Sequence, residues 1–248
     1  MRKRVYGPAN QVGKRKPRSR YTYAFRRKSP SYSLPVKNSP FNLVSGSTPQ
    51  KAKLFTKFIY SETGLNLDPG IGGTTGVRVF DLNSLFDPDV TGSGHQPAGF
   101  DQMMAVYEEY LVYGVRYKIS FYGTDTGNEY IGGVTITDQI STVSDPRVYI
   151  ENGMTQWGLV CAKAAGAGER IKEFSGYVDL SKVHGESWAS YSEQYSYKGN
   201  ASASPPDRAY LHCWVAPANA SSDLSASVWC VELEYHCILS GGKLNALS

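Results

Sequence analysis

Residues 94–104, with the sequence GHQPAGFDQMM, bring together side chains that could perform chemistry. His95 and Asp101 lie within this stretch, and Asp87 and Asp89 lie just before it. One imidazole among carboxylates could bind a divalent cation or act as an acid–base pair. The spacing is not that of an EF-hand loop, and FDPDVTG is also an ordinary turn sequence. We therefore interpret His95 and Asp101 as structural groups that form hydrogen bonds, and predict no metal ion and no catalytic residue.

The other reactive side chains also lack the spacing of a familiar catalytic motif. The chain contains no GxSxG, HExxH, GxGxxG or paired CxxC motif and no phosphate-binding GxxxxGK. His212 and His236 lie in predicted strands, where we expect surface or interface residues rather than metal ligands. The cysteines expected to face the core are Cys161, Cys213 and Cys237. A Cys–His pair stays possible but no pattern selects it, so we predict no enzyme activity and no cofactor.

The charge of the chain is divided between two segments. Residues 1–61 contain 15 Lys and Arg but no acid, since Glu62 is the first acidic residue. The remainder contains 26 − 15 = 11 basic and 22 acidic residues, a net charge of −11. This asymmetry predicts a tail that binds polyanions, attached to a domain that does not.

The basic segment has two parts. Residues 1–28 contain its basic clusters, and residues 29–50 have four prolines, too closely spaced for a helix. We predict a disordered nucleic-acid-binding arm over 1–28, an extended linker over 29–50 and a folded domain over 51–248. The predicted nucleic-acid-binding residues are Arg2, Lys3, Arg4, Lys14, Arg15, Lys16, Arg18, Arg20, Arg26, Arg27 and Lys28. A flexible arm of about 50 residues spans about 35–40 Å.

Aromatic residues within the arm admit two interpretations. Tyr6, Tyr21, Tyr23 and Phe25 lie among the basic residues, where they could stack on unpaired bases or dock the arm on its domain. The basic clusters also have the composition of a nuclear-import signal, which is compatible with binding nucleic acid.

From residue 53 onward the sequence is typical of a β protein. The chain has 18 Tyr, 9 Phe and 4 Trp beside 25 Gly and 13 Pro, a combination of strand and turn formers. We predict eight strands, over residues 53–62, 77–82, 112–123, 132–138, 155–162, 170–180, 209–216 and 228–239. Eight strands with long connections favour an antiparallel jelly roll of two packed sheets over an up-and-down barrel.

One segment departs from the β pattern. Phe100, Met103, Met104, Tyr107 and Leu111 recur at helical spacing, and Asp101 lies in the first turn, where a carboxylate is favourable. We predict one short helix packed under the sheets, and a second possible turn of helix over 145–153. No stretch approaches the roughly 20 apolar residues of a membrane span, so we predict no membrane insertion.

Residues 82–112 resemble a segment of the capsid proteins of circular, Rep-encoding single-stranded DNA viruses, the circovirus-like group. The core of the resemblance is Gly94, His95, Gln96 and Pro97 with Gly99, Phe100, Asp101 and Gln102. It implies a jelly roll that assembles into a T=1 icosahedral shell, with the arm inside on the single-stranded DNA. It also implies a virion protein that enters the host nucleus through import receptors and has exterior loops that meet a host-surface receptor. The arm differs from that of animal circoviruses, which is denser in arginine.

The charges agree with such a shell. If about 60 copies assemble, 15 charges each would offset about 900 phosphates, the order of a small genome. Nothing in the arm distinguishes DNA from RNA, so the coat protein of a small positive-strand RNA virus stays an alternative. A jelly-roll enzyme or lectin with a nuclear-targeting tail is a rival of another class.

Overall fold

The computed structural model describes residues 53–124, 129–160 and 171–243, which form nine β-strands, four short α-helices and one 3₁₀ helix, Tyr195–Tyr197. The strands are β1 Lys53–Leu67, β2 Gly76–Asp81, β3 Tyr107–Tyr122, β4 Tyr130–Thr137, β5 Thr155–Val160, β6 Ile171–Asp179, β7 Lys198–Asn200, β8 Tyr210–Pro217 and β9 Ser227–Gly242. The α-helices are α1 Phe100–Met104, α2 Pro146–Glu151, α3 Leu180–Val183 and α4 Trp188–Glu193.

The strands form two antiparallel sheets. The first has the order β1-β9-β3-β6, with the short β7 paired to β3, and the second has the order β2-β8-β4-β5. The pairs β4–β5, β3–β6, β2–β8 and β1–β9 are nested hairpins that wrap around one another. This is the topology of a jelly roll, so the predicted fold class is confirmed.

The core lies between the sheets because each long strand alternates buried and exposed residues. In β9, Trp229, Val231 and their alternate neighbours are buried, and Glu232 between Val231 and Leu233 is exposed. The Trp229 ring stacks on Phe121 of the first sheet, with centroids 5.7 Å apart, and meets the edge of Phe80 of the second sheet, also at 5.7 Å. Aromatic packing therefore joins the two layers.

All eight predicted strands are present. Most ends differ from the prediction by no more than a few residues; the larger differences are the extension of β1 to Leu67 and the earlier start of β3 at Tyr107. The three-residue β7 was not predicted. It follows the helical segment between β6 and β8 and is too short to show an alternating pattern.

The predicted helix is correct in place but too long. Helix α1 ends at Met104, and Phe100 and Met104 are buried in the core as expected. Tyr107 and Leu111, assigned to the same helical stripe, lie instead in β3. The pairing of Tyr107 with Gly242 of β9 overrides the helical spacing, because a long sheet ladder satisfies the backbone from that residue onward.

The prediction of one short helix and a second possible turn is incomplete, since α3 and α4 are also present. Helix α2 matches the possible turn at 145–153: Asp145 caps it by accepting the Arg147 N–H at 2.9 Å, and Pro146 occupies its first turn. Helices α3 and α4 have four and six residues, too few for a readable period. None of the helices in the described ranges is long and apolar enough to cross a membrane.

The antiparallel order sends the connections to two opposite ends of the sandwich. The three long connections, 82–106, 138–154 and 180–209, lie at one end, and the shorter connections 68–75 and 218–226 lie at the other. Strand β1 begins, and β9 ends, at the end with the long connections, where Lys53 pairs with Ser240. Residues 94 and 95 of the first long connection reach back along β1 to Tyr60 and Ser61.

Candidate functional site

His95 binds the long 82–106 connection to strand β1. Its Nδ1 lies 2.8 Å from the carbonyl oxygen of Gln96, its Nε2 lies 3.2 Å from that of Ser61, and its ring centroid is 4.8 Å from that of Tyr60. Because a carbonyl oxygen only accepts hydrogen bonds, both nitrogens are satisfied when both carry protons. These contacts raise the pKa of His95. The hydrogen bonding predicted for His95 is confirmed.

The neighbouring carboxylates do not converge on His95. Asp89 is fully buried and accepts hydrogen bonds from the N–H (3.1 Å) and hydroxyl (2.9 Å) of Thr91. Asp101 is exposed, and no described residue donates a hydrogen bond to its carboxylate, so the hydrogen-bonding role predicted for it is wrong. Burial and the charge of Asp89 raise the pKa of Asp87. Within the described ranges, no group of three or more His, Cys, Asp or Glu side chains could hold a metal ion.

Beneath this loop, Arg78 forms a partly buried ionic network. Its guanidinium pairs with Asp89 and lies 3.6 Å from Glu62, and the Tyr60 hydroxyl donates to Glu62. Burial and the adjacent Glu62 raise the pKa of the Tyr60 phenol. A Cβ at Gly94 would lie 2.6 Å from the Tyr60 oxygen and 2.7 Å from the Asp89 Cβ. The loop can therefore close over the network only because residue 94 has no side chain.

A further buried carboxylate, Asp81, lies at the end of β2, immediately before the same connection. Its Oδ1 accepts the backbone N–H of Asn83 at 3.1 Å and of Ser84 at 3.0 Å, and Arg208 lies 3.5 Å from Oδ2. Burial raises the pKa of Asp81 to about 7, while these three partners act in the opposite direction. Asp81 holds the turn that follows β2. The sequence did not predict this role, because Asp81 lies within a segment that has the pattern of a strand.

His212 corrects a prediction, because it is fully buried rather than at the surface. Helix α2 covers it: Nε2 lies 2.8 Å from the carbonyl oxygen of Gln139, and Nδ1 lies 3.4 Å from the Tyr149 hydroxyl. Burial lowers the pKa of His212. Its neighbour Cys213 points to the opposite side of the sheet, into the core, where burial raises the pKa of the thiol. The two side chains cannot act as a nucleophile and its base.

Cys237 and His236 are separated by their strand in the same way. Cys237 is buried, as predicted, and burial raises the pKa of its thiol to about 12. His236 is on the outward side of β9, with Nε2 2.7 Å from Glu234 Oε1. Cys161 lies outside the described residues. The adjacent Cys–His pairs of β8 and β9 are therefore split across their sheets.

The predicted nucleic-acid-binding residues, Arg2 to Lys28, all lie outside the described residues, as do both predicted parts of the N-terminal segment. Their assignment stays a prediction.

The outer face of the first sheet, meaning the side turned away from the core, is a surface that sequence analysis did not single out. Three consecutive rows across it, read from β1 to β6, are Lys57, His236, Gly114 and Asp179; Ile59, Glu234, Arg116 and Tyr177; and Ser61, Glu232, Lys118 and Ser175. Ile59 and Tyr177 are 56% and 51% exposed. A cavity of about 340 Å³ is lined by residues of these rows, including Arg116, Gly176 and Glu234.

Part of this surface was readable from the alternation of the strands. The pattern of β9 places Glu232, Glu234 and His236 on one side, and that of β3 places Arg116 and Lys118 on one side. Which strands are neighbours, and which residues share a row, follows only from the long-range pairing of β1, β9, β3 and β6. The combined surface could therefore not be predicted from the sequence.

Comparisons with known proteins find likeness in structure alone. No family model and no curated protein sequence matches the chain. A structure of Desmodium yellow mottle tymovirus is 13% identical, covers 86% of this chain and 99% of its own, and has a TM-score of 0.42. A virus-like particle of the Macrobrachium rosenbergii nodavirus is 9% identical, with coverages of 80% and 99% and a TM-score of 0.43. The BFDV capsid protein, crystallised as a decamer, is 9% identical, with coverages of 75% and 98% and a TM-score of 0.42. Likenesses of this size say nothing of what this chain binds.

Proposed function

We propose that this chain is a viral capsid protein, in which a jelly-roll domain assembles with copies of itself into a shell and the N-terminal segment holds nucleic acid. The observation that carries the proposal is the separation of charge at the start of β1. Because Lys53 and Lys57 belong to β1, residues 1–52 hold 15 − 2 = 13 basic residues and no acid. The remainder holds 26 − 13 = 13 basic and 22 acidic residues, a net charge of −9.

The electrostatics of this arrangement direct nucleic acid to the arm. Lys and Arg bind phosphates and release counterions without reading the base sequence. The negative domain repels phosphates, so a polyanion engages the segment before β1 and leaves the shell domain free for contacts between subunits. The eleven basic residues between Arg2 and Lys28 supply most of this positive charge.

The charge of the N-terminal segment sets how many phosphates a shell of a given copy number can neutralise. A T=1 shell of about 60 copies, with 13 charges each, offsets about 780 phosphates. This replaces the value of about 900, since two of the 15 basic residues belong to β1. A single-stranded genome of one to a few kilobases carries one phosphate per nucleotide. The arms of such a shell would therefore neutralise part of its charge, and small cations would neutralise the rest.

The resemblance of residues 82–112 to circovirus-like capsid proteins favours single-stranded DNA as the cargo. The coat protein of a positive-strand RNA virus would use the same fold and the same arm, since phosphate binding does not distinguish the two. In keeping with the resemblance, the basic clusters act as a nuclear-import signal, so the protein occurs in the virion and in the host nucleus. Digestion of the packaged material with DNase and RNase decides between the two genomes.

The test of the proposal changes the charge of the arm without changing its length. We expect a full chain with the eleven basic residues of 1–28 replaced by Gln to retain almost no nucleic acid, because each neutralised phosphate contact is lost. The matched control exchanges Lys for Arg and Arg for Lys at the same eleven positions and keeps the charge. Nucleic acid content is measured from the ultraviolet absorbance of purified protein. Equal contents in the Gln variant and the control would contradict the proposal.

A further inference from the structure

The outer face of the first sheet exposes several large apolar and aromatic side chains. Phe55 and Ile59 of β1 are 65% and 56% exposed, and Tyr177 of β6 and Trp188 of α4 are 51% and 48% exposed. These side chains do not join the core, because they lie on the opposite side of the sheet from the second layer. Aromatic side chains at a surface are typical of the centre of a protein interface.

Two local features of β3, a register shift and a glycine, allow aromatic rings to lie on this face. The register of β3 against β9 shifts between Val112 and Gly114, and the ring of the intervening Tyr113 lies 5.8 Å from Trp188 and 6.4 Å from Phe55. A Cβ at Gly114 would lie 2.1 Å from the Tyr177 oxygen, so the glycine makes room for that ring to lie over the sheet.

The charges of this face alternate from strand to strand. Lys57 on β1 is positive, Glu232 and Glu234 on β9 are negative, and Arg116 and Lys118 on β3 are positive. Asp179 ends the first of the three rows, and Glu173 lies further along β6, so this edge strand is negative. Read across β1, β9, β3 and β6, the order is plus, minus, plus, minus.

Such an order is complementary to itself. A two-fold axis that runs along the strands between β9 and β3 places β1 opposite the β6 of a second copy, and β9 opposite its β3. Glu234 of one copy then faces Arg116 of the other, Glu232 faces Lys118, and Lys57 faces Asp179. In the same arrangement Ile59 faces Tyr177, so the two exposed apolar side chains of the middle row also meet.

We propose that this face is an isologous interface between two copies of this chain. Two-fold interfaces use the same patch on both subunits, and sheets pack face to face with their strands within about 30° of one another. The proposal rests on the proposed function, in which it names one contact of the shell. Among the described residues, Arg116 and Glu232 have no ion-pair partner, and a second copy supplies both.

The charges of the face argue against nucleic acid as its occupant. Lys57, Arg116 and Lys118 are balanced by Glu173, Glu232 and Glu234. Phosphates approaching the aromatic rings would meet the two carboxylates of β9, whereas a second copy offers them Arg116 and Lys118. Charge complementarity therefore selects the second copy.

The test is a disulfide that only two copies can form. Ile59 and Tyr177 of one chain lie on β1 and β6, three strand spacings or about 14 Å apart, beyond the reach of a disulfide. In the two-fold arrangement, residue 59 of each copy lies opposite residue 177 of the other. We expect the full chain with Ile59→Cys and Tyr177→Cys to form a covalent dimer on mild oxidation, measured on non-reducing gels.

The matched control is the full chain with Ile59→Cys and Leu159→Cys, since Leu159 is 52% exposed but belongs to the second sheet. A dimer yield no higher than in this control would overturn the interface. The outcome is separate from that of the proposed function: particles without the disulfide contradict the interface alone. The disulfide without particles supports the interface and contradicts the shell.

A charge exchange in the double-cysteine chain gives an independent measurement. With Glu232→Lys, the face has Lys at both 232 and 118, and with Lys118→Glu it has Glu at both positions. We expect each variant alone to lose the covalent dimer through repulsion, and a mixture of the two to recover it, because each Lys then faces a Glu. Contacts within one chain cannot be restored by mixing, so a mixture that stays monomeric would overturn the proposal.

Discussion

Single residues of the 82–106 connection act through packing. Gly94 lies directly against Tyr60, Asp89 and Glu62, with no room for a side chain. We expect Gly94→Ala to destabilise the domain by about 1–3 kcal/mol, because the new methyl group overlaps Tyr60 and Asp89 and forces the loop outward. Urea unfolding of the variant and the wild type measures the difference.

Gly153→Ala is the matched control for Gly94→Ala, since a Cβ at residue 153 meets no atom within 4 Å. It should change the free energy of unfolding by less than about 1 kcal/mol. Equal stability of the two variants would show that the loop does not pack on the network as described.

The sequence predicted the role of His95 but not that of His212. His95 has Gly and Pro around it, which indicates a loop and hence a structural polar group. His212 lies on the side of β8 that alternation assigns to the exterior, and it is buried because helix α2 crosses that side. Burial of this kind depends on an element far away in the sequence, which a local pattern cannot contain.

Helix α2, although only six residues long, covers buried side chains on the outer side of the second sheet. Its Tyr149 ring stacks on Trp214 with centroids 5.4 Å apart, and the Tyr149 hydroxyl accepts the Val143 N–H at 3.0 Å. The helix thus closes the outer side of the second sheet over Trp214 and His212. The domain has one core between its sheets and a smaller buried cluster beneath α2.

Removal of the Tyr149 ring tests that cluster. We expect Tyr149→Ala to cost about 3 kcal/mol of unfolding free energy and to increase the solvent exposure of Trp214, which tryptophan fluorescence reports. Val148 is the next residue of the same helix and is 51% exposed, so Val148→Ala should cost no more than about 0.5 kcal/mol. A small effect of Tyr149→Ala would mean that α2 does not contribute to stability.

Elements were predicted well where one period dominates. The alternation of β9 between Trp229 and Leu239 has no helical interpretation, and the strand is found where expected. Tyr107 and Leu111 fit both a helix that continues from Phe100 and the start of a strand. Pairing with β9 decides in favour of the strand, and that information lies more than 100 residues further along the chain.

Two features of the whole molecule differ in how far the sequence predicts them: the division of charge along the chain and the outer face of the first sheet. The division of charge at the start of the domain can be read directly from the sequence, because it needs only the order of Lys, Arg, Asp and Glu. The self-complementary face of the first sheet needs the strand order β1-β9-β3-β6, since its charges come from four strands far apart in sequence. Under the two proposals above, the subunit uses separate surfaces for nucleic acid and for its own copies.

The mass of the purified full chain in solution shows whether the protein assembles into a shell. A shell of about 60 copies of the 27.2 kDa chain has a mass of about 1.6 MDa before its cargo is counted. We predict that sedimentation velocity shows a particle of at least this mass, with an absorbance spectrum that includes nucleic acid. Sedimentation only as a monomer or a small oligomer would contradict assembly into a shell.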